Sequence, residues 1–182
     1  MAIRSTTWFL LFLMLLIGVS APEARAQANS APAAINLIAV RNPGIAVSAF
    51  PANVNFAMVN NGVATGSTPI TITTTWDVQP SVGNLTLHAY FSTAAAALSN
   101  GAGNNIASSR VLGSVNGGAF APFTGISPFA AGSSLQIFTF RVIGNNRRGT
   151  RNDTLNLQID LTGAVLPAGT YSGTLLIQAQ AL

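Results

Sequence analysis

Ile70-Thr71-Ile72-Thr73-Thr74-Thr75-Trp76-Asp77-Val78 alternates between two kinds of side chain. Ile70, Ile72, Trp76 and Val78 fall on one face, and Thr71, Thr73, Thr75 and Asp77 on the other. That period belongs to a half-buried strand, with one face on a core and one toward water. The rhythm returns on both sides. Leu85, Leu87, Ala89 and Phe91 alternate with Asn84, Thr86, His88 and Tyr90, and Leu155, Leu157, Ile159 and Leu161 alternate with Asn156, Gln158 and Asp160. Further strands are predicted near 35–40, 44–49, 53–60, 135–143 and 171–181. Asn60-Asn61-Gly62, Asn100-Gly101, Asn116-Gly117-Gly118 and Gly144-Asn145-Asn146 supply the residues that tolerate positive φ in tight turns. Val111–Val115 and Ala119–Phe123 flank one of these turns and read as a small hairpin. It lies within an Ala-, Gly- and Ser-rich stretch at 93–134, where Thr93–Leu98 has the composition for one helical turn.

About 7–9 short strands separated by such turns predict an all-β fold, an immunoglobulin-like antiparallel β-sandwich. An eight-stranded outer-membrane barrel is the competitor, but it needs an aromatic girdle at each interface. Beyond residue 26 only Trp76, Tyr90 and Tyr171 could serve.

Residues 1–26 read as a secretory signal peptide. Arg4 precedes an apolar run from Trp8 to Val19, and Ala24-Arg25-Ala26 gives a small-residue cleavage site before Gln27. Residues 27–182 are then expected to form a single β-sandwich domain, secreted, periplasmic or displayed on a bacterial cell surface. No transmembrane span is expected once the leader is removed, because its apolar run is short for a membrane-crossing helix. The chain has no cysteine, so burial alone must hold the domain together.

Charge is sparse. Beyond the leader there are six arginines (Arg41, Arg110, Arg141, Arg147, Arg148, Arg151), three aspartates (Asp77, Asp153, Asp160), one histidine, and neither lysine nor glutamate. Basic residues interleaved with stacking aromatics are missing, so nucleic acid is not an expected partner. Metal sites gather several His, Cys, Asp or Glu side chains, which this chain lacks, so no metal and no cofactor is expected. Asp153 and Asp160 are seven apart and would face opposite ways on one strand, against the facing pair that glycoside hydrolysis requires. They read as solvated aspartates. His88 and Asp77 could join a serine only by distant convergence, and no Gly-x-Ser-x-Gly elbow is present. His88 reads as an ordinary surface histidine on a polar strand face. No catalytic residue is assigned, and the expectation is a protein that is not an enzyme.

Arg141, with Gly144-Asn145-Asn146-Arg147-Arg148-Gly149-Thr150-Arg151, concentrates the charge that the rest of the chain avoids. It reads as a hairpin tip joining the strand at 135–143 to one at 153–161. Arg141, Arg147, Arg148 and Arg151 are the candidate anion-binding residues, since several guanidiniums together grip sulfate, phosphate or carboxylate groups bidentately. The alternative for the tip is a solvated loop with Asp153 as partner. Trp76 is expected in the core between the sheets, and Phe120, Phe123, Phe129, Phe138 and Phe140 in the core or beneath the 93–134 excursion.

The run Leu166-Pro167-Ala168-Gly169-Thr170-Tyr171-Ser172-Gly173-Thr174-Leu175-Leu176-Ile177 resembles the closing strand of bacterial secreted immunoglobulin-like domains. It is similar to the endings of spore coat protein U and related fimbrial-type subunits, where Ala-Gly-Thr-Tyr precedes alternating Thr and aliphatic residues. The resemblance implies a non-catalytic structural or adhesive surface protein, with self-association or a surface-fibre partner through strand addition. The alternative is a monomeric secreted module that binds an anionic glycan or lipopolysaccharide through the arginines.

Overall fold

The computed structural model describes residues 44–79 and 83–182. The expected leader and the expected strand at 35–40 lie outside them. Among the described residues the chain forms eleven strands: β1 (Gly44–Phe50), β2 (Val63–Thr65), β3 (Ile70–Asp77), β4 (Asn84–Tyr90), β5 (Leu98–Ser99), β6 (Asn105–Ile106), β7 (Val111–Val115), β8 (Ala121–Pro122), β9 (Ser134–Arg141), β10 (Arg148–Asp160) and β11 (Leu176–Ala181). A single 3-10 turn, Ser108–Arg110, is the helical exception.

β10 is the spine. One edge pairs with β3 along Arg148–Leu155 and then with β2 along Gln158–Asp160, while the other pairs with β7 along Leu155–Ile159. The first sheet therefore runs β1-β3-β10-β7-β8, and a second sheet runs β11-β4-β9. Every ladder is antiparallel. The two sheets enclose one core, with Ile72 and Leu155 from the first meeting Leu85, Leu87 and Phe138 from the second. This is an all-β sandwich, and the alternation that predicted it is legible in the burial. Asp153, Leu155, Leu157 and Ile159 are buried, whereas Asn156, Gln158 and Asp160 are only partly so. Asp153 and Asp160 do face opposite ways.

The turn Val115-Asn116-Gly117-Gly118 joins β7 to the chain leading into β8. Asn116 and Gly117 hold φ of 52° and 76°, and Gly118 N–H donates to the Val115 carbonyl at 2.9 Å. Two successive positive φ values match the right-handed twist of the flanking strands. The expected hairpin is thus present. At Gly144-Asn145-Asn146 no positive φ occurs.

Several boundaries differ from expectation, each for a local reason. Residues 53–60 are not a strand. Asn55 and Ser67 satisfy each other instead, Ser67 N–H donating to the Asn55 carbonyl and Asn55 N–H to Ser67 Oγ, and only Phe56 bridges to Gly66. The last strand begins at Leu176 rather than 171, because Ser172 bridges to Ser99 and Gly173 lies against the backbone of Ala97. Thr93–Leu98 makes no helical turn, since Ala97 N–H is drawn to the Ile106 carbonyl. The longest strand starts at Arg148 rather than 153, extending the β3 pairing past Gly149.

The arginine-bearing connection is not a hairpin tip. β9 belongs to the second sheet and β10 to the first, so residues 142–147 carry the chain across the sandwich. Trp76 Nε1–H donates to the Asn146 carbonyl and Val78 N–H to the Arg147 carbonyl, tying the crossing to the end of β3. Trp76 is half-buried there, its ring 5.2 Å from that of Phe140 on the facing sheet. Of the five phenylalanines, Phe123 and Phe138 are core and Phe129 and Phe140 are partly covered. Phe120 is exposed (41%), because it sits in the chain just before β8.

Candidate functional site

Three places have more chemistry than a sheet surface requires: the arginine end, the histidine, and a groove at the seam.

At the arginine end the four candidates part company. Arg151 sits on β10 two residues before Asp153, with both side chains on the inward face of the strand. Its Nε–H bonds Asp153 Oδ1 and Oδ2 at 3.0 and 2.9 Å, and Nη2–H bonds Oδ1 at 2.8 Å. Its guanidinium lies 4.7 Å from the centre of the Phe138 ring, on the opposing sheet. Asp153 is 1% exposed and receives a further bond from Asn116 Nδ2–H at 2.7 Å. The solvated-aspartate reading is therefore wrong for Asp153: strand period places it inside, and three donors replace its water. Burial alone would raise its pKa, but the bonds from Arg151 and Asn116 and the arginine's charge outweigh burial and hold it below the ordinary value. Arg151 is raised, chiefly by its hydrogen bond to Asp153.

Arg148 opens β10 on the outer face and pairs with Asp77 at 3.1 Å across the β3 ladder. Arg141 and Arg147 are exposed at the same end. Asn146 shapes the crossing that carries Arg147. Its Oδ1 accepts from Ile143 N–H at 2.6 Å, and its Nδ2–H donates to the Arg141 carbonyl at 2.9 Å. Three arginines thus face solvent around one end, and Arg151, itself 40% exposed, is committed to the buried Asp153.

His88 is on the outer face of β4, as its spacing predicts, yet it is 6% exposed. The cover is residues 125–133, a loop closed at its base by paired backbone bonds between Gly125 and Ser134. Phe129 projects from it, stacked on Tyr90 at 5.7 Å and edge-on to His88 at 6.2 Å. The surface-histidine reading therefore fails because a loop far along the chain folds over this face. Nδ1 of His88 has no hydrogen-bond partner, and burial lowers the pKa of the ring. His88 and Asp77 stand on different sheets. Among the described residues no cluster of metal-ligating side chains forms.

The groove was not legible in the sequence. It encloses about 890 Å³ between residues 49–58 and 169–177, and its floor includes Ile70, Phe91, Val111, Leu157 and Ile159. It lies where β1 and β11, the edge strands of the two sheets, approach each other. Pro51–Asn55 and Gly173–Leu175 line it and belong to no strand. The only hint was the pair of misjudged strands, 53–60 and 171–175, whose alternation is strand-like although the chain there has no ladder.

No helix among the described residues is long and apolar enough to cross a membrane. No protein-family profile matches the chain, and a search of curated proteins finds no match either.

Proposed function

We propose that this protein is a non-catalytic structural or adhesive component, exported from a bacterial cell, that assembles by accepting an added β-strand from another copy. The groove at the seam carries the reading. Its floor is core side chains, and its walls include two segments that lie outside the strands, Pro51–Asn55 and Gly173–Leu175. A strand laid between them can pair with backbone and seat alternate apolar side chains below. Support also comes from the outer face of the first sheet, a nearly neutral surface of Thr71, Thr73, Thr75, Thr150 and Asn152. The leader-like residues 1–26 and the closing sequence that resembles fimbrial-type subunits agree with a surface role and with immunoglobulin-like connectivity. Sedimentation velocity over a wide concentration range tests the reading. Assembly that grows with concentration supports it, and a monomer throughout contradicts it.

A second reading rests on the exposed guanidiniums of Arg141, Arg147 and Arg148 at one end of the sandwich. Such a cluster gains from a polyanion through several contacts at once, which makes an anionic glycan or lipopolysaccharide its natural ligand. That module would bind as a monomer, so the same sedimentation experiment separates the two.

A further inference from the structure

His88 is the single histidine of the chain, and the fold hides it without giving its Nδ1 a partner. We propose that residues 126–131 form an acid-released lid, held shut over the outer face of the second sheet by the neutral state of His88.

The surroundings of the ring explain why it acts as a latch. Its ladder partners are Gln136 on β9 and Gln178 on β11, both uncharged. On its own strand the neighbours along that face are Thr86 and Tyr90, and the phenol of Tyr90 donates to Gln178 Oε1 at 2.9 Å. From the lid comes Phe129. Tyr90 is the only titratable group facing the ring from these elements. Among the described residues no carboxylate or guanidinium stands there to meet an imidazolium. A proton added to the ring therefore creates a buried charge without a counter-ion, a costly state that opening relieves by admitting water.

The lid is built to open as a unit. Its base is the Gly125–Ser134 bridge, where the Ser134 hydroxyl also donates to the Gly125 carbonyl at 2.6 Å. Within it, Ser127 Oγ accepts from Phe129 N–H and Ala130 N–H at 3.2 and 3.1 Å, giving the loop its own internal order. Gly132 and Ser133 stay anchored, the Gly132 carbonyl accepting from the Ser108 hydroxyl at 3.3 Å, the Ser133 carbonyl from Phe91 N–H at 3.0 Å, and the Ser133 hydroxyl donating to the Phe91 carbonyl at 2.8 Å. Ahead of that anchor the loop meets the outer face through Phe129, against His88 and Tyr90, while Ile126 beside the base is 83% exposed. Lifting Phe129 uncovers Tyr90 and His88 and leaves the inter-sheet core intact.

The test is NMR of the exported protein across an acid titration, following the ring signals of His88, Phe129 and Tyr90 together with the methyls of Ile72 and Leu87. The expected result is a joint shift of the three rings, with a midpoint below the ordinary histidine value of 6.5, while the core methyls hold still. In His88→Gln the Phe129 and Tyr90 signals stay at their closed positions throughout. In Phe129→Ala, which keeps the histidine and removes its cover, the midpoint rises toward 6.5. Rings that do not shift with His88, an equal shift in His88→Gln, or core methyls that move along with the rings would each overturn the proposal.

Discussion

Arg151 and Asp153 form a bidentate ion pair at the end of the sandwich, two residues apart on one face of β10, with the carboxylate fully covered and the part-exposed guanidinium against Phe138. Strand geometry alone places neighbours two apart side by side. The pair occupies inward positions in line with Leu155 and Leu157, at the end where the apolar core gives way to the arginine-bearing crossing. Asn116 reaches the same carboxylate from the β7 turn and also accepts from Thr154 N–H at 2.8 Å. One buried aspartate thus joins the hairpin turn, the spine strand and the opposite sheet.

Removing one partner should therefore cost more than removing both. Arg151→Gln leaves Asp153 buried with Asn116 as its remaining side-chain donor, and the expected loss is about 3 kcal/mol. The double variant Arg151→Leu/Asp153→Leu replaces the charges by apolar bulk and should recover much of that loss. Urea unfolding of the two variants checks the order, and equal losses would show that the carboxylate is not truly desolvated.

Stability should depend on pH in two separate windows. Asp153 titrates in the folded state below its ordinary 3.8, so its contribution is complete above 3.8 and is lost as pH falls through the lower folded value. Asp160, held low first by its hydrogen bonds with Thr162, titrates in the same acid window. His88 acts with the same sign but higher up. Its folded pKa lies below 6.5, so as pH drops under 6.5 the unfolded chain takes the proton first and stability declines until the folded ring is protonated too. Unfolding free energy measured against pH should rise with pH and level off above 6.5. His88→Gln should erase the upper step and leave the acid one.

Trp76 and Gly149 face each other across the β3–β10 ladder, and a Cβ at Gly149 would lie 2.6 Å from Trp76 Cζ2. Gly149→Ala should push the indole off Phe140 and away from the Asn146 carbonyl, at a cost of about 2 kcal/mol. Trp76→Ala should cost about 3 kcal/mol, because the ring is half-buried. Beyond residue 26 Trp76 is the only tryptophan. Its fluorescence should shift to the red in Gly149→Ala, and an unchanged spectrum would place the indole elsewhere.

What could be read from the residues was the period, and what could not was the company each strand keeps. Ile70–Val78 and Leu155–Leu161 give their faces correctly because alternation is a local property of an extended chain. Asn116-Gly117 gives its turn because two positive φ values exclude most side chains. His88 was misjudged because the loop that hides it arrives some forty residues later in the chain. The arginine stretch misled for the same kind of reason: its turn residues suit a hairpin, but whether two strands share a sheet is decided by the whole core. The groove is legible only where segments with strand-like sequence, Pro51–Asn55 and Gly173–Leu175, are found outside the strands.

If the arginine end binds polyanions, Arg141→Gln/Arg147→Gln/Arg148→Gln should abolish retention on heparin, and wild-type binding should weaken steeply with salt. Arg151→Gln should leave retention unchanged, because that guanidinium already serves Asp153. Equal retention by the triple variant would reduce the cluster to a solvated end of the sandwich.

The central claim is that the seam groove accepts a strand from another copy, and charge placed in its walls tests it most directly. Ala52 and Thr174 are exposed and line opposite sides, so Ala52→Glu/Thr174→Glu brings carboxylates into the path of an apolar strand without touching the core. Sedimentation of wild type and variant side by side, with circular dichroism to confirm the same fold, is the measurement. The account predicts that wild type assembles as concentration rises and that the variant stays monomeric. Equal assembly of the two, or no assembly by wild type at any concentration, would contradict it.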